Sequence, residues 1–507
     1  MQGEDTQNTG LLETFQDLLG QYRPAFGQQR VFERASSLVY GSLFAFARKT
    51  MTQLISSLGQ TQQDWTANYR LLSHNRFHEE ALANITLQQT LAHVPQNQPY
   101  QAVIDATPVM RSSRTMPGTG WGRAPGTAHW DRGLARQQRF ENISWLVPVQ
   151  DGYSRALPLR WIHAPTEKSV PSADAPCREW EAGLQGMTWL RGQLDANDRA
   201  GQTLLVGADG SYDVNKVWRA LPHNTVLVCR CAKNRKLFQL PEPAAPHTKG
   251  AHRKYGERVG TPQQMRQEKT DWTTVELLVR AKQMMIKCRV CGPYLVEGAP
   301  NAPLMLLLVK GYHYKGARKK VYREPCQYLV NAVQAGKVVD RVDGPWCLPL
   351  PLLTLIALTW HRWEIEVCHR QIKTGFGLGQ MQCWSQQGSI ASVQFMVWSY
   401  SALLLAGYKT WNGLLMHGGQ GPPIERIPAI ERIPAIERAS VLWQRGSRRW
   451  SFSTLLQSYR KQLWDLQDFQ PVYPVIGSKG QKNPSLPAIS SHLPASLSNA
   501  AVSASRG

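Results

Sequence analysis

The feature that most restricts the possible folds of this sequence is an alternation of apolar runs with segments of helical spacing. This alternation ends near residue 231. Residues 203–208 (TLLVGA) form an apolar strand that stops at Asp209–Gly210, and a short helix (214–221) and a further strand (225–231) follow. Three strand-like runs and one helix are predicted before them, at 101–110, 143–150, 156–163 and 177–196. Three strands followed by alternating helix and strand predict a mixed α/β sheet.

Changes of composition divide the chain into six segments. They are a helical N-terminal DNA-binding region (1–97), a first part of the α/β core (98–231), a mostly β insertion (232–345), a second part of the core (346–415), a repeat linker with a basic segment (416–475) and a disordered tail (476–507). The linker contains the hexapeptide IleGluArgIleProAla twice, and its prolines exclude a continuous helix there. Residues 389–408 carry no charge and are predicted to be a buried core helix rather than a membrane span.

The N-terminal region leaves two interpretations open. Residues 48–55 and 66–72 have helical spacing on either side of Gly59, which fits a helix-turn-helix with Arg48 and Lys49 near one helix. The same residues fit a plain helical bundle equally well.

The charge of the chain restricts its partners. Lys and Arg number 58 against 36 Asp and Glu, so the formal net charge is +22 over 507 residues. Such an excess favours polyanions, and nucleic acid above all, over small neutral metabolites. Basic stretches with interleaved aromatic residues occur at 111–139, 310–323 and 445–461, a pattern typical of phosphate contacts with base stacking. The N-terminus has no secretory signal and the nine cysteines are scattered, so we expect reduced thiols in a cytosol.

Three acidic residues stand at informative positions. Asp105 lies at the end of the first predicted apolar strand, Asp209 directly follows a later one, and Glu366 lies in a helix after the insertion. Functional groups gather at strand ends in open α/β sheets, so the two aspartates are expected to face one site. Three carboxylates offer the hard oxygen ligands that a pair of Mg²⁺ or Mn²⁺ ions requires for chemistry at phosphorus.

The helix around Glu366 adds cations to this site. At about 100° per residue, Arg362, Glu366, Arg370 and Lys373 fall on one face, so a single carboxylate is framed by three positive charges. Such a face suits a metal ligand beside groups that grip phosphate. Glu364 points away from this face and is expected to be structural.

Taken together, these segments resemble the DDE transposases of bacterial insertion sequences that carry the YREK signature. Arg362, Glu366 and Lys373 fit the signature's spacing, although Thr359 stands where the family has Tyr, and 103–109 (VIDATPV) and 206–213 (VGADGSYD) resemble the family's two Asp segments. The resemblance covers about 35–411, and members of this group carry a β-rich insertion before the Glu.

The resemblance implies an RNase H-like, retroviral-integrase-type core in a cytoplasmic, nucleoid-associated prokaryotic protein. It implies metal-dependent cleavage at transposon ends and strand transfer into target DNA, with Asp105, Asp209 and Glu366 holding two Mg²⁺ (or Mn²⁺) ions, and a dimer on double-stranded DNA. The residues expected to contact DNA are Arg362, Arg370, Lys373, Arg48, Lys49, Arg111, Arg114, Lys319 and Lys320.

Two other functions share most of these features. One is a catalytically inactive or repurposed DNA-binding protein, which the repeat and Thr359 favour. The other is an RNase H-like nuclease that cuts DNA without strand transfer, and it differs from a transposase only in its products.

Overall fold

The structure is a computed structural model, and it describes residues 10–111, 113, 116, 118–124, 133–167, 169, 176–242, 253–269, 271–315, 320–334, 346–413, 415 and 449–465. The hexapeptide repeat, the predicted disordered tail, Arg114 and Lys319 lie outside these residues, and so does the side chain of Lys320.

From residue 10 onward, where the described structure begins, five α-helices precede the first strand, and the region is helical as its pattern predicts. They are α1 (Leu11–Gln21), α2 (Gln29–Phe44), α3 (Met51–Ser57), α4 (Thr66–Ser73) and α5 (Glu79–Leu91). Thr50 starts α3 by accepting the backbone N–H of Gln53 on its side chain. Tyr22 packs edge-on against Trp398 at a ring distance of 5.6 Å, so these helices share a hydrophobic core with the C-terminal half of the chain.

The central sheet confirms the expected mixed α/β fold with an RNase H-like core. Its first strands are β1 (Tyr100–Met110), β2 (Gly120–Arg123), β3 (Leu134–Leu146), β4 (Ala156–His163), β5 (Leu204–Ala208) and β6 (Thr225–Arg230). The order β4–β3–β1–β5–β6 places three antiparallel strands beside two parallel ones. The crossovers contain α6 (Glu179–Ala196), the 3₁₀ turn Gly210–Tyr212 and α7 (Asn215–Arg219).

The segment predicted as a β-rich insertion extends this sheet. It contains α8 (Pro262–Met265), β7 (Thr273–Val279), β8 (Lys282–Val296), β9 (Ala299–Val309), β10 (Tyr312–Lys315), β11 (Lys320–Arg323), β12 (Cys326–Asn331) and β13 (Val333–Gln334), which pairs with β14 (Trp346–Cys347). β12 runs antiparallel to β6, with Tyr328 opposite Arg230, and the order continues β12–β9–β8–β7. The insertion and the core are therefore parts of one sheet of ten strands among the described residues.

Helices return after the insertion and cover the sheet. They are α9 (Leu352–His361), α10 (Glu364–Arg370), which continues as one π-helical turn (Gln371–Gly375), α11 (Gln386–Thr410) and α12 (Phe452–Asp465). Among the described residues α11 alone is long and apolar enough to cross a membrane, but 94% of its apolar window is buried inside the protein. The predicted core helix is thus confirmed, and packing against the sheet and the N-terminal helices accounts for its apolar sequence.

Candidate active site

Asp105 lies in the middle of β1 and not at its end as predicted, because pairing with β3 continues the strand to Met110. It faces a site that is mostly closed to solvent. It is paired in register with Asn142 on β3, and its side chain is 18% exposed. Burial raises the pKa of Asp105 to about 7, and repulsion from Asp209, Glu366 and Glu179 adds to the effect, while Arg362 opposes it. Asp105 therefore lies in the electrostatic field of both other predicted triad members.

Asp209 follows β5, which runs parallel to β1 with Gly207 opposite Val103. Continuing this register by two residues brings Asp209 level with Asp105. The Asp209 carboxylate caps the 3₁₀ turn: its Oδ1 accepts the backbone N–H of Ser211 at 2.8 Å and the Ser211 hydroxyl at 2.6 Å. The turn thereby fixes the orientation of the second aspartate.

Glu366 reaches the same site from α10. A turn at residues 362–363 separates α9 from α10, so the prediction of one continuous helix through Arg362 is wrong. Arg362 and Glu366, predicted on one helix face, form an ion pair, with Arg362 Nη2 3.2 Å from Glu366 Oε1. Partial burial raises the pKa of Glu366, Asp209 raises it further, and Arg362 lowers it.

The donor chemistry of this cluster suits a divalent cation. All three groups supply carboxylate oxygens, and mutual repulsion contributes to the raised pKa values of Asp105 and Glu366, a repulsion that a bound cation would relieve. As they stand, no three acidic, His or Cys side chains among the described residues lie close enough to hold one ion. Glu366 is paired with Arg362 instead, so the triad would have to contract around an ion.

Of the three cations predicted on the helix face, two lie at the site. Arg362 pairs with Glu366, and Lys373 donates a hydrogen bond of 2.5 Å from Nζ to Thr107 Oγ1, two residues beyond Asp105 on β1. Burial lowers the pKa of Lys373 to about 8, although Asp105 opposes the shift. Arg370 is exposed on the same helix.

His369 is a close neighbour of Asp105 and is held in one orientation. Its Nε2 accepts a hydrogen bond of 3.0 Å from Asn142 Nδ2, and its Nδ1 lies 3.9 Å from Asp105 Oδ2. The ring also packs edge-on against Trp161. Burial lowers the pKa of His369 to about 3, and Lys373 adds to this effect, so the ring is neutral at physiological pH.

Two carboxylates that sequence reasoning did not identify lie around the triad. Glu179, at the start of α6, has Oε1 2.7 Å from the Ser211 hydroxyl, whose single proton is shared between Glu179 and Asp209 Oδ1. Glu141, on β3, is fully buried and accepts the Tyr212 hydroxyl at 2.5 Å. An acid in an otherwise strand-like run was the available signal for Glu141, but residues 134–142 were not predicted as a strand.

Two of the expected DNA contacts are corrected by the structure. Lys49 is buried, and its ammonium donates to the backbone carbonyls of Ser42 and Ala45. Arg111 is buried, and its guanidinium donates to Gln138 Oε1 at 2.9 Å and to the carbonyl of Ser389 at 2.7 Å. Lys49 binds carbonyls close to it in sequence, whereas Arg111 joins distant elements. Neither cation is available to phosphate, because their donors are already used inside the protein.

The remaining predictions divide between surface and interior. Arg48 is exposed and remains a candidate for DNA contact. Glu364 is buried and pairs with Arg449 at 2.6 Å and Arg280 at 3.6 Å, as expected of a structural residue. The two helix predictions around Gly59 correspond to α3 and α4, whose Leu54 and Leu72 are buried in the common core.

Acidic side chains on β1, directly after β5 and on α10 of an RNase H-like fold, with cations beside them, define a class of enzymes that act on the phosphodiester backbone of nucleic acids. The sequence model of the DDE superfamily endonuclease family matches residues 21–285, more than half of the chain, and the protein belongs to this family. The match includes Asp105 and Asp209 and ends before Glu366. No curated protein matches the sequence. Membership implies a nuclease-type enzyme that acts on DNA with divalent metal ions.

Proposed function

We propose that this protein is a DNA transposase of the YREK-signature group, which cleaves the ends of a mobile element and joins them to target DNA. The observation that carries the proposal is the arrangement of Asp105, Asp209 and Glu366 on β1, after β5 and on α10, with Lys373 and Arg362 next to them. The family match supports the nuclease part, and the YREK spacing within α9 and α10 supports the transposase part.

Each carboxylate has a distinct role in this proposal. Asp105, Asp209 and Glu366 would hold two Mg²⁺ or Mn²⁺ ions, which supply activation of the attacking oxygen and stabilisation of the leaving one. The ring of His369 lies beside Asp105, with Nδ1 3.9 Å from Oδ2, and the Ser211 turn holds Asp209 by hydrogen bonds. These neighbours keep the two aspartates in place while DNA enters and leaves.

The cations position DNA. Lys373 lies within the cluster, and the hydrogen bond from its ammonium to the Thr107 hydroxyl orients it toward β1. Arg362 holds Glu366 until a phosphate or an ion competes for either partner. Arg370 and Arg48 are exposed and would contact the DNA backbone farther out, with the formal net charge of +22 favouring the approach of duplex DNA. We further propose that two protomers pair on the two element ends in the cytoplasm, at the nucleoid.

The test is excision in cells from a plasmid that carries the DNA flanking the gene. Wild type is compared with Glu366→Gln and with the matched control Glu276→Gln, an exposed acid on β7 at the far edge of the sheet. We expect excision by wild type and Glu276→Gln, and loss of at least a hundredfold in Glu366→Gln. Equal excision by Glu366→Gln would contradict the assignment of the triad.

A second assay separates a transposase from a plain endonuclease. Purified protein, a labelled duplex of the element end and a target plasmid are incubated with Mg²⁺ or Mn²⁺. A transposase yields end DNA covalently joined to the plasmid, whereas an endonuclease yields only cut ends. Retained gel-shift binding without any cleavage would favour a repurposed DNA-binding protein.

A further inference from the structure

A buried pair of polar side chains lies beneath the triad on the opposite face of the sheet. The Tyr212 hydroxyl donates to Glu141 Oε2 at 2.5 Å, and both side chains are fully buried. Glu141 is the residue before Asn142 on β3 and pairs with Ala106 of β1. Since side chains alternate along a strand, Glu141 points away from the face on which Asn142 and His369 meet. The pair therefore does not touch the reacting groups.

The two partners belong to the elements that carry the two aspartates. Glu141 is on the strand hydrogen-bonded to β1, immediately beside the residue that follows Asp105. Tyr212 is the last residue of the 3₁₀ turn that Asp209 caps. A single hydrogen bond thus ties the Asp209 turn to the antiparallel part of the sheet.

Burial makes the one hydrogen bond of Glu141 important. Burial raises the pKa of Glu141 well above its ordinary value, the Tyr212 hydrogen bond opposes this shift, and Glu179, Asp105 and Asp209 raise the pKa further. Oε2 accepts from Tyr212, whereas Oε1 has no hydrogen-bond partner among the described residues. Tyr212 is therefore the one described group that compensates the burial of this acid.

Packing on α6 leaves the Tyr212 ring no room to move. Gly183 faces the ring, and a Cβ on Gly183 would lie 2.4 Å from Tyr212 Cε1. A real Cβ cannot approach so closely, so this position accepts glycine only while Tyr212 keeps its place. The ring is held from behind by α6 and at its hydroxyl by Glu141.

We propose that Glu141 and Tyr212 are positioning residues that set the separation of Asp209 from Asp105 and thereby the affinity of the site for divalent ions. The inference rests on the proposed metal-dependent function. Partners one layer outside a metal site typically change its affinity about 10- to 100-fold when removed.

The experiment measures the rise in melting temperature of DNA-free protein during Mn²⁺ titration, in parallel with the Mg²⁺ dependence of DNA cleavage. Tyr212→Phe removes the donor and Glu141→Leu removes the acceptor, while Glu141→Gln keeps a neutral acceptor of the same shape. Gly183→Ala displaces the Tyr212 ring while leaving the Tyr212 hydroxyl and the Glu141 carboxyl chemically unchanged. Tyr212→Phe is the mildest change and keeps the test open if Glu141→Leu does not fold.

We expect Tyr212→Phe, Glu141→Leu and Gly183→Ala to raise the half-saturating Mn²⁺ and Mg²⁺ concentrations about tenfold. Glu141→Gln is expected within about threefold of wild type, and the double variant of Tyr212→Phe and Glu141→Leu no worse than the more affected single one, because both remove one bond.

Two other results would contradict the proposal. Lower melting temperatures with unchanged half-saturating metal concentrations would overturn the positioning role and leave a purely structural pair. A wild-type protein that neither gains stability with Mn²⁺ nor cleaves DNA would overturn the proposed function itself, and this inference with it.

Discussion

Asn142 Nδ2 donates a 3.0 Å hydrogen bond to His369 Nε2, and this bond places the ring proton of the neutral histidine on Nδ1, the nitrogen that faces Asp105. The orientation of the Asn142 amide is itself fixed, because its Oδ1 accepts the Ser144 hydroxyl at 3.0 Å. A chain of buried polar groups on β3 therefore determines which nitrogen of α10 meets the first triad residue.

Replacing His369 by Phe tests this relationship. The ring would keep its packing against Trp161 but lose the N–H that faces Asp105, and Asn142 would lose its acceptor at a cost of about 1–3 kcal/mol. We expect cleavage to fall about tenfold while affinity for duplex DNA stays within twofold. Because the pKa of His369 is about 3, the pH–rate profile between pH 6 and 9 should keep its shape. Loss of an ionisation in that range would instead show that His369 titrates during the reaction.

Asp105 makes the thermal stability of the metal-free protein depend on pH. Its pKa is raised to about 7 in the folded state, so between about pH 4 and pH 7 the folded protein binds a proton that the unfolded chain has lost. The stability that this proton contributes is therefore lost as the pH rises from about 4 through 7. Asp105→Asn keeps the shape without the charge and should melt a few degrees above wild type at pH 8 in the presence of chelator. The difference should shrink at pH 5, and thermal melts at both pH values check it. A difference independent of pH would contradict the raised pKa.

The sequence predicted those parts of the fold that local pattern determines. β1, β4, β5 and β6 were found because buried strands leave apolar runs, and Asp105 and Asp209 were found because they lie within or just after such runs. The first half of β3 was missed, since its polar residues look like surface. Gln138 and Glu141 in fact find buried partners on α11 and in the Asp209 turn.

The errors at the site have the same origin. Arg111 was assigned to DNA because it is a cation in a basic stretch, yet its guanidinium donates to the carbonyl of Ser389, 278 residues away. Lys49 is also expected to contact DNA, but its ammonium binds backbone carbonyls four and seven residues before it. Spacing along a sequence does not reveal which charges obtain buried partners, whereas it does place Arg362 and Glu366, four residues apart, on one helix face, where they form an ion pair.

Lys373 should make DNA binding weaken at alkaline pH. Its pKa is lowered to about 8, so the ammonium is charged below that value and neutral above it. We expect wild type to lose about tenfold more affinity for duplex DNA between pH 7 and 9 than Lys373→Arg, since one charged hydrogen bond contributes about 1.5 kcal/mol. Fluorescence anisotropy at constant ionic strength measures both. Lys282→Arg, at an exposed position on β8, is the matched control and should follow wild type. Parallel curves for all three proteins would exclude Lys373 from the DNA contact.

Glu364 and Glu366 lie two residues apart on α10, and their substitution by Ala should have opposite effects on stability and on cleavage. Glu364 is buried between Arg449 and Arg280, so Glu364→Ala leaves Arg449 without its carboxylate partner and should cost about 3–5 kcal/mol of unfolding free energy. Glu366 is half-buried within a repelling cluster, so Glu366→Ala should change stability by less than about 1 kcal/mol and abolish cleavage.

Thermal melts and cleavage assays on both variants, run well below the melting temperature of Glu364→Ala, distinguish the two roles. The Glu364→Ala protein that remains folded should cleave DNA at a rate within about threefold of wild type, because its carboxylate faces Arg449 and not the triad. An inactive but fully folded Glu364→Ala protein beside an active Glu366→Ala protein would exchange the two assignments and make Glu364 the third member of the triad.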